Sequence, residues 1–275
     1  MLDLLTQSAV RRGLDQSILL AGLVTARLMP IVLLVPFLGG KAAPAQVKVG
    51  LALAFTVLVY PIVWASAPAI PDAPLLVAAL IAKEIGVGLM LGFVTALVFH
   101  AVRMAGRLID TSRGQTKAMS MVPQLKTQVS VTGNFLLQLF IVIFLLTGGH
   151  RLFLAALTRS FKYIPPEQFA SFAHAGDHGS AVALGIARLA TESISIGVLL
   201  AFPVIAAILL TNIFLALVNK AAPQINVFFL GMPLKAVIGV AVVLLALDPL
   251  ATRFLDEAIR YFEHLLELIH LLAPP

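Results

Sequence analysis

Long apolar runs alternate with short polar connections along most of this chain. Six runs have the roughly 20 residues that a helix needs to cross the hydrocarbon core of a bilayer. They cover residues 18–38, 47–65, 75–99, 129–147, 195–218 and 229–247. Lipid offers no water to unpaired backbone groups, and the sequence lacks the ten-residue alternation of membrane barrel strands. The pattern therefore predicts an all-α membrane protein of about six long hydrophobic helices.

Composition narrows the class further. The chain is 60% hydrophobic and 12% charged, with a mean hydropathy of +1.02, which is outside the usual range of soluble domains. The first run is longer than the apolar part of a signal peptide, so we expect it to stay as a span. The absence of Cys excludes disulfides and thiolate chemistry. The net charge of +6 comes from basic residues spread along loops, which disfavours nucleic acid as a partner.

The connection 101–128 is the longest polar one and has an excess of basic residues. Long connections in compact proteins are usually functional or disordered. Gly114, Met119, Met121 and Pro123 lie within it. Flexible thioether side chains fill irregular gaps, so these residues are candidates for a deformable seal. The alternative is an ordinary loop, since Met is no more frequent here than in an average protein.

Two adjacent charges, Lys83 and Glu84, lie in the middle of the third apolar run. Each unpaired charge at that depth costs roughly 2.5–3.5 kcal/mol. Neighbours on a helix point about 100° apart, so we expect each to pair with a different element. Glu84, Gly88 and Gly92 share one helix stripe, which predicts close helix packing. The charges form either a functional lock or ion-coupling site, or an ordinary interhelical pair that fixes assembly.

Arg27 lies midway along the first run and is followed by Pro30 and Pro36. The two prolines predict a kinked or broken helix that faces protein. The alternative for Arg27 is a side chain that extends to the lipid headgroups.

The C-terminal third predicts one very long helix and an amphipathic tail. Residues 181–218 read as continuous helix, too long for one span, so its first part is expected outside the bilayer. Residues 250–275 form a predicted amphipathic helix that is acidic, which favours docking on a partner over lying on a membrane surface. The histidine pairs in the segments 174–178 and 264–270 lack the further ligands of a metal site, and no hydrolase or phosphate-binding motif is present.

Several motifs together resemble the FliR/SctT family of type III export-gate components, which flagella and virulence injectisomes share. The resemblance covers most of the chain. Its residues are Arg27, Pro36, Phe37, Pro44, Lys48 and Pro61; then Lys83, Glu84, Gly88, Gly92, Phe93, Ala101, Ala105, Gly106, Ile109 and Asp110; then Asn212, the run 220–228, Gly231, Pro233 and Lys235. The run Asp110-Thr-Ser-Arg113-Gly114 is more similar to the injectisome branch than to the flagellar one.

This resemblance implies a non-enzymatic subunit without cofactor or metal, in the bacterial inner membrane. Its helices, some kinked or broken, would form hairpins in a helical pore-forming assembly. The implied partners are FliP/SctR-like and FliQ/SctS-like subunits, a FlhB/SctU-like switch subunit and unfolded secreted proteins. The chain would be a single export-gate domain with three helices in 1–100, a plug-like loop in 101–128, the remaining helices in 129–249 and the amphipathic tail. Gly114, Met119, Met121 and Pro123 would belong to the plug.

The same resemblance implies a set of buried polar or assembly residues. They are Arg27, Lys48, Lys83, Glu84, Asp110, Arg113, Asn212, Lys220, Pro223, Gln224 and Asn226. The competing hypothesis is a secondary transporter in which Glu84 carries a proton or a sodium ion.

Overall fold

The computed structural model of the chain is built from α-helices. It describes residues 2–40, 43–64, 73–114, 130–168, 178–224 and 226–271, without the side chains of 2–14, 181, 268 and 271. The helices are α1 (Leu2–Leu34), α2 (Ala45–Trp64), α3 (Pro74–Ser112), α4 (Val131–Leu146), α5 (Gly149–Tyr163), α6 (His178–Ala221), α7 (Val227–Leu245) and α8 (Leu247–Leu271). No strand occurs in these ranges, so the predicted all-α fold is confirmed.

Five of the helices are long and apolar enough to cross a membrane: α1 from residue 15, α2, α3, α6 from residue 182, and α7. The bent pair α4 and α5 makes a sixth candidate if the two helices form one broken span. The six apolar runs of the sequence correspond to these candidates, and the predicted number of spans is confirmed.

The first helix breaks where the sequence predicts. α1 continues through Pro30 and ends at Leu34, and a short 3₁₀ turn, Pro36–Leu38, follows. Gly39 and Gly40 have positive φ angles of 122° and 49°, a region that side chains with a Cβ rarely adopt. Pro36 and the two glycines therefore end the helix and turn the chain.

α3 is longer than the sequence predicts. The structure keeps residues 101–112 in the helix, where the sequence analysis placed the start of a loop. Val98, Val102, Ala105 and Ile109 are buried at spacings of three and four, which gives this part a continuous core-facing side. The other side of the helix carries arginines, and this basic pattern is why the sequence predicted a loop here.

The chain divides into two compact units that are interleaved along the sequence. Unit 1 comprises Met1–Ala96, His150–Leu189 and Phe262–Pro275, and unit 2 comprises Leu97–Gly149 and Ala190–Tyr261. The core of unit 1 includes Leu28 and Ile31 of α1, with Phe153 and Leu157 of α5. Three of the four unit boundaries fall well inside helices α3, α6 and α8, and the fourth falls at the start of α5.

The amphipathic tail is α8, and its apolar side is used within the chain. In unit 2, Phe254 packs on Phe140 with ring centroids 4.7 Å apart and on Phe99 at 6.1 Å. In unit 1, Leu265 and Ile269 are buried against residues of α1, α3 and α5. The expectation that this side docks on a partner is therefore wrong, because this chain already covers it.

Candidate functional site

Arg27 and Glu84 form a buried ion pair between α1 and α3 in unit 1. Both residues are 0% exposed. Arg27 Nε donates to Glu84 Oε2 at 2.6 Å, and Arg27 Nη2 donates to Oε1 at 2.8 Å. This two-point geometry is the strongest arrangement between a guanidinium and a carboxylate. Arg27 therefore points into the protein and does not extend to a headgroup.

The end of α5 accepts the remaining donors of Arg27. Nη1 donates to the carbonyl of Ser160 at 2.9 Å and approaches its hydroxyl at 3.4 Å. Nη2 donates to the carbonyl of Ile164 at 2.7 Å. The guanidinium carbon lies 4.2 Å from the centre of the Phe161 ring. The carbonyls at the C-terminal end of a helix carry partial negative charge, so a buried cation is well placed there.

Lys83 binds the same end of α5. Its ammonium donates to the carbonyls of Pro165, Pro166 and Gln168 at 2.8, 3.0 and 2.7 Å. It also lies 2.7 Å from Glu84 Oε1. The adjacent charges were expected to find separate partners, but the flexible Lys83 stem turns its ammonium back towards Glu84. Both carboxylate oxygens of Glu84 thus contact cations. The remaining N–H donors of Arg27 and Lys83 bond to backbone carbonyls.

Glu167 lies beside this ion network, just beyond α5. Its Oε2 atom is buried and has no hydrogen-bond partner among the described residues. Burial raises the pKa of Glu167 above its ordinary value, and Glu84 adds to the rise. Lys83 and Arg27, together with a backbone hydrogen bond, act in the opposite direction. The pKa of Glu167 is thus raised even though two cations lie nearby.

The glycine stripe of α3 lies directly against α1. A Cβ atom added to Gly88 would collide with the carbonyl oxygen of Arg27. A Cβ at Gly92 would come within 3.0 Å of the Ile31 Cα. The two helix backbones therefore approach closely at the level of the ion pair, and this proximity lets Arg27 reach Glu84.

In unit 2, a second polar cluster joins the end of α3 to the start of α4. We call Asp110, Arg113, Ser130 and Thr132 the clasp. Asp110 Oδ2 accepts from the Ser130 hydroxyl at 2.7 Å and from the Thr132 amide at 3.1 Å. Ser130 also caps α4 by accepting from the Gly133 amide at 2.9 Å. The clasp therefore holds together the two ends of the connection 115–129.

Arg113 extends the clasp to α7. Its Nη2 donates to the carbonyl of Ala236 at 3.1 Å, while Nη1 lies 3.4 Å from the Thr132 hydroxyl and 3.8 Å from Asp110 Oδ1. The stem of Arg113 packs where a Cβ on Gly239 would be, with Cδ 2.6 Å from that position. A glycine on α7 is thus needed for this side chain to pass.

The predicted plug residues are only partly described. Gly114 follows α3 with a φ angle of 82°, so the chain leaves the helix in a conformation that favours glycine. Met119, Met121 and Pro123 lie outside the described residues.

The elbow between α6 and α7 is polar and open. Its predicted assembly residues are exposed on this chain: Asn212, Lys220, Pro223, Gln224 and Asn226. Nothing in the described part of the chain covers them. Lys48 of α2 is half-buried. A cavity of about 910 Å³ opens between this elbow and the end of α3.

Sequence reasoning missed several residues of these clusters. It named Arg27, Lys83 and Glu84, but not the carbonyls at the end of α5, which any residue type provides. It also missed Ser130, although a Ser directly before the first residue of a predicted helix is a common N-cap signal. Among the described residues, no three His, Asp or Glu side chains are grouped so that they could hold a metal ion.

The fold and the buried charges define a multi-pass helical membrane protein. The sequence profile described as "Bacterial export proteins, family 1" matches residues 18–260, and the chain belongs to this family. This result confirms the resemblance found in the sequence. The chain is a multi-pass protein of the bacterial inner membrane, in the base of a secretion system.

Relatives come from both flagella and secretion systems. The chain is 30% identical to the flagellar biosynthetic protein FliR of Caulobacter vibrioides over 86% of this chain and 92% of the relative. It is 30% identical to the secretion system apparatus protein SsaT of Salmonella typhimurium, over 68% and 70%. It is 33% identical to the Yop proteins translocation protein T of Yersinia pestis, over 69% and 70%. The chain is therefore similar to export apparatus components of both systems.

Proposed function

We propose that this chain is a non-enzymatic structural and gating subunit of a type III protein export gate. In this role it helps to form and to close the pore through which unfolded proteins cross the inner membrane. Its membership of the export family supports a place in the export apparatus. The proposed partners are FliP/SctR-like, FliQ/SctS-like and FlhB/SctU-like subunits, and the injectisome branch remains our preferred assignment.

The clasp is the observation that carries the gating part of this proposal. Because Asp110 bonds to Ser130 and Thr132, the connection 115–129 begins and ends at one fixed base. The two ends of the predicted plug are therefore held next to each other at the ends of α3 and α4. The Met residues in the sequence of this segment suit a seal that must yield to an unfolded chain.

The ion network of unit 1 supports a structural role over ion transport. An ion-coupling carboxylate must exchange its proton or sodium ion with water. Glu84 is fully buried, and Arg27 and Lys83 hold both of its oxygens. We therefore assign Glu84 to holding α1, α3 and α5 together.

Exposed apolar side chains on the spanning helices support assembly with other membrane subunits. They include Val57, Phe202, Leu210, Phe214 and Phe229, each more than half exposed. Such surfaces fit either lipid or the apolar side of a neighbouring helix.

The first test is a mild-detergent pull-down of the tagged chain from its native membrane, followed by native mass measurement. We expect a fixed-ratio complex with two other small hydrophobic subunits. Recovery as a lone monomer or homodimer would sink the export-gate assignment.

The second test addresses gating in the assembled complex. Deleting residues 114–123 should raise ion leakage, because it removes the plug. Ser130→Ala should raise leakage to a smaller degree, because it loosens the clasp but leaves the plug in place. Ser195→Ala is the matched control, since this exposed serine donates to the Thr191 carbonyl of its own helix and lies outside the clasp. Unchanged leakage in the deletion would contradict the plug, whatever the pull-down shows.

A further inference from the structure

The cavity at the α6–α7 elbow has a composition that the proposed gating role does not explain. It holds about 910 Å³, the size of a pocket for a small molecule. Its walls include the cationic side chains Arg113 and Lys235, and the amides of Asn212, Asn219 and Gln224. None of the described residues that line it is Asp or Glu. The cavity is therefore a positively charged space with several neutral hydrogen-bonding groups.

The two cations are free to interact with a ligand to different degrees. Arg113 is fixed by Ala236 and lies 3.8 Å from Asp110, but its Nε atom has no hydrogen-bond partner in the described part of the chain. Lys235 makes no ion pair with any described residue. Together they leave positive charge that Asp110 only partly balances. A bound anion would neutralise the remaining positive charge of the cavity.

Apolar side chains lie at the cavity and elsewhere on its two helices. Phe228 of α7 lines the cavity. Other exposed apolar side chains on α6 and α7 are Phe214, Leu217, Phe229 and Leu230. Both helices are candidate spans, and the elbow joins their ends. The end of a membrane span lies at the level of the lipid headgroups. The ligand that matches such a place is anionic at one end and apolar along the rest.

We propose that this cavity binds the headgroup of an anionic phospholipid. Basic pockets between spanning helices are suited to such headgroups. Lys235 and Arg113 would bind the phosphate. The side-chain amides of Asn212 and Gln224 would form hydrogen bonds with the glycerol hydroxyls. The acyl chains would lie along the exposed apolar sides of α6 and α7. The site depends on the membrane location of the chain and not on the plug, so either proposal can fail without the other.

The test is native mass spectrometry of the full chain, purified in mild detergent with its accompanying subunits and titrated with phosphatidylglycerol or phosphatidylcholine. We expect preferential retention of phosphatidylglycerol. Lys235→Gln should weaken that retention roughly fivefold, the usual effect of one basic residue near an anionic lipid surface. Lys235→Arg should restore it. Lys220→Gln is the matched control, because Lys220 is exposed on the same elbow but does not line the cavity.

Four results would overturn the proposal. One is equal retention of the two lipids. The second is equal retention of phosphatidylglycerol by the Lys235→Gln and Lys220→Gln variants. The third is binding of free glycerol phosphate as tightly as the whole lipid, which would assign the cavity to a soluble anion. The fourth is retention of lipid by the isolated full chain but not by the assembled complex, which would assign the cavity to contact with a partner subunit.

Discussion

The buried charge of Arg27 is stable because every one of its side-chain nitrogen atoms has a hydrogen-bond acceptor. Arg27 is a large cation without contact with solvent, and each of its nitrogen atoms has an acceptor in Glu84, Ser160 or Ile164. Desolvation of such ions costs several kcal/mol, and only good geometry with further hydrogen bonds offsets it. Glu84 links the two cations of this network because it forms ion pairs with both Arg27 and Lys83.

We expect Glu84→Gln to destabilise the protein by about 3–5 kcal/mol, the usual cost of leaving a buried charge without its partner. Denaturant unfolding in detergent would measure it. The double variant Arg27→Met with Glu84→Met should lose less than the sum of the two single variants, since it removes both charges together. Wild-type stability of Glu84→Gln would contradict the structural role of the pair.

Glu167 makes the folding stability of this region depend on pH, and the direction of its pKa shift fixes the sign. Its pKa is raised in the folded state, so the folded protein holds this proton more tightly than the unfolded chain does. The stability that this proton contributes is complete below the ordinary pKa of 4.5 and falls as the pH rises through the raised value. Lys83, Arg27 and Glu84 face this carboxyl group.

Glu167→Gln should therefore raise the melting temperature at pH 8 and lose this advantage as the pH falls to 4.5. Thermal melts of the two proteins across that range provide the measurement. Glu263→Gln, at an exposed position on α8, is the control and should follow the wild type. A melting temperature of Glu167→Gln below wild type at pH 8 would show that the charged carboxylate is favourable after all.

Among the helices, the decisive contact is the close approach of α1 and α3. Small residues let two helix backbones come together, and Gly88 has no room for a Cβ because the carbonyl of Arg27 occupies that space. A second close approach joins α3 to the start of α4, where Gly106 faces Gly133. These glycines set the distances over which the polar side chains of both clusters work.

Gly88→Ala should destabilise the protein by about 1–3 kcal/mol, because the added methyl group forces the α1 backbone away. Gly86→Ala is the matched control on the same helix, since no heavy atom lies within 4 Å of its Cβ position. There the better helix propensity of Ala should leave stability equal or slightly higher. Thermal melts of the two variants side by side would test this, and equal destabilisation would contradict the close packing.

For the whole molecule, α8 is the element that serves both compact units. Phe254 belongs to the aromatic cluster of unit 2, and Leu265 belongs to the core of unit 1. The tail of the sequence is therefore part of two cores and not an appendage. This use explains why its apolar side is closed to partners.

Phe254→Ala and Leu265→Ala should each cost about 2–5 kcal/mol, because each leaves a cavity in a core. Ile259→Ala, 45% exposed on the same helix, should change stability by less than about 0.5 kcal/mol. Unfolding of the purified variants would measure these costs. If Leu265→Ala behaves like Ile259→Ala, α8 stabilises one unit only.

The sequence by itself determined the spanning helices, because a run of about 20 apolar residues in lipid can satisfy its backbone only as a helix. It also showed that Arg27, Lys83 and Glu84 need partners, since a charge at that depth is costly. It did not show where α3 ends, because arginines on one side of a helix look the same as arginines in a loop. Nor did it show the use of the tail, whose apolar stripe fits an internal or an external surface equally.

Only the tertiary structure decided which groups bind the buried polar side chains. The carbonyls that bind Arg27 lie 133 and 137 positions away along the chain, at the end of α5. Backbone carbonyls leave no mark in a sequence, so no pattern could point to them. The clasp is similar: Asp110 and Ser130 are ordinary residue types, and their meeting depends on the contact between Gly106 and Gly133. Local chemistry set the elements of this protein, and close packing of distant backbones set its sites.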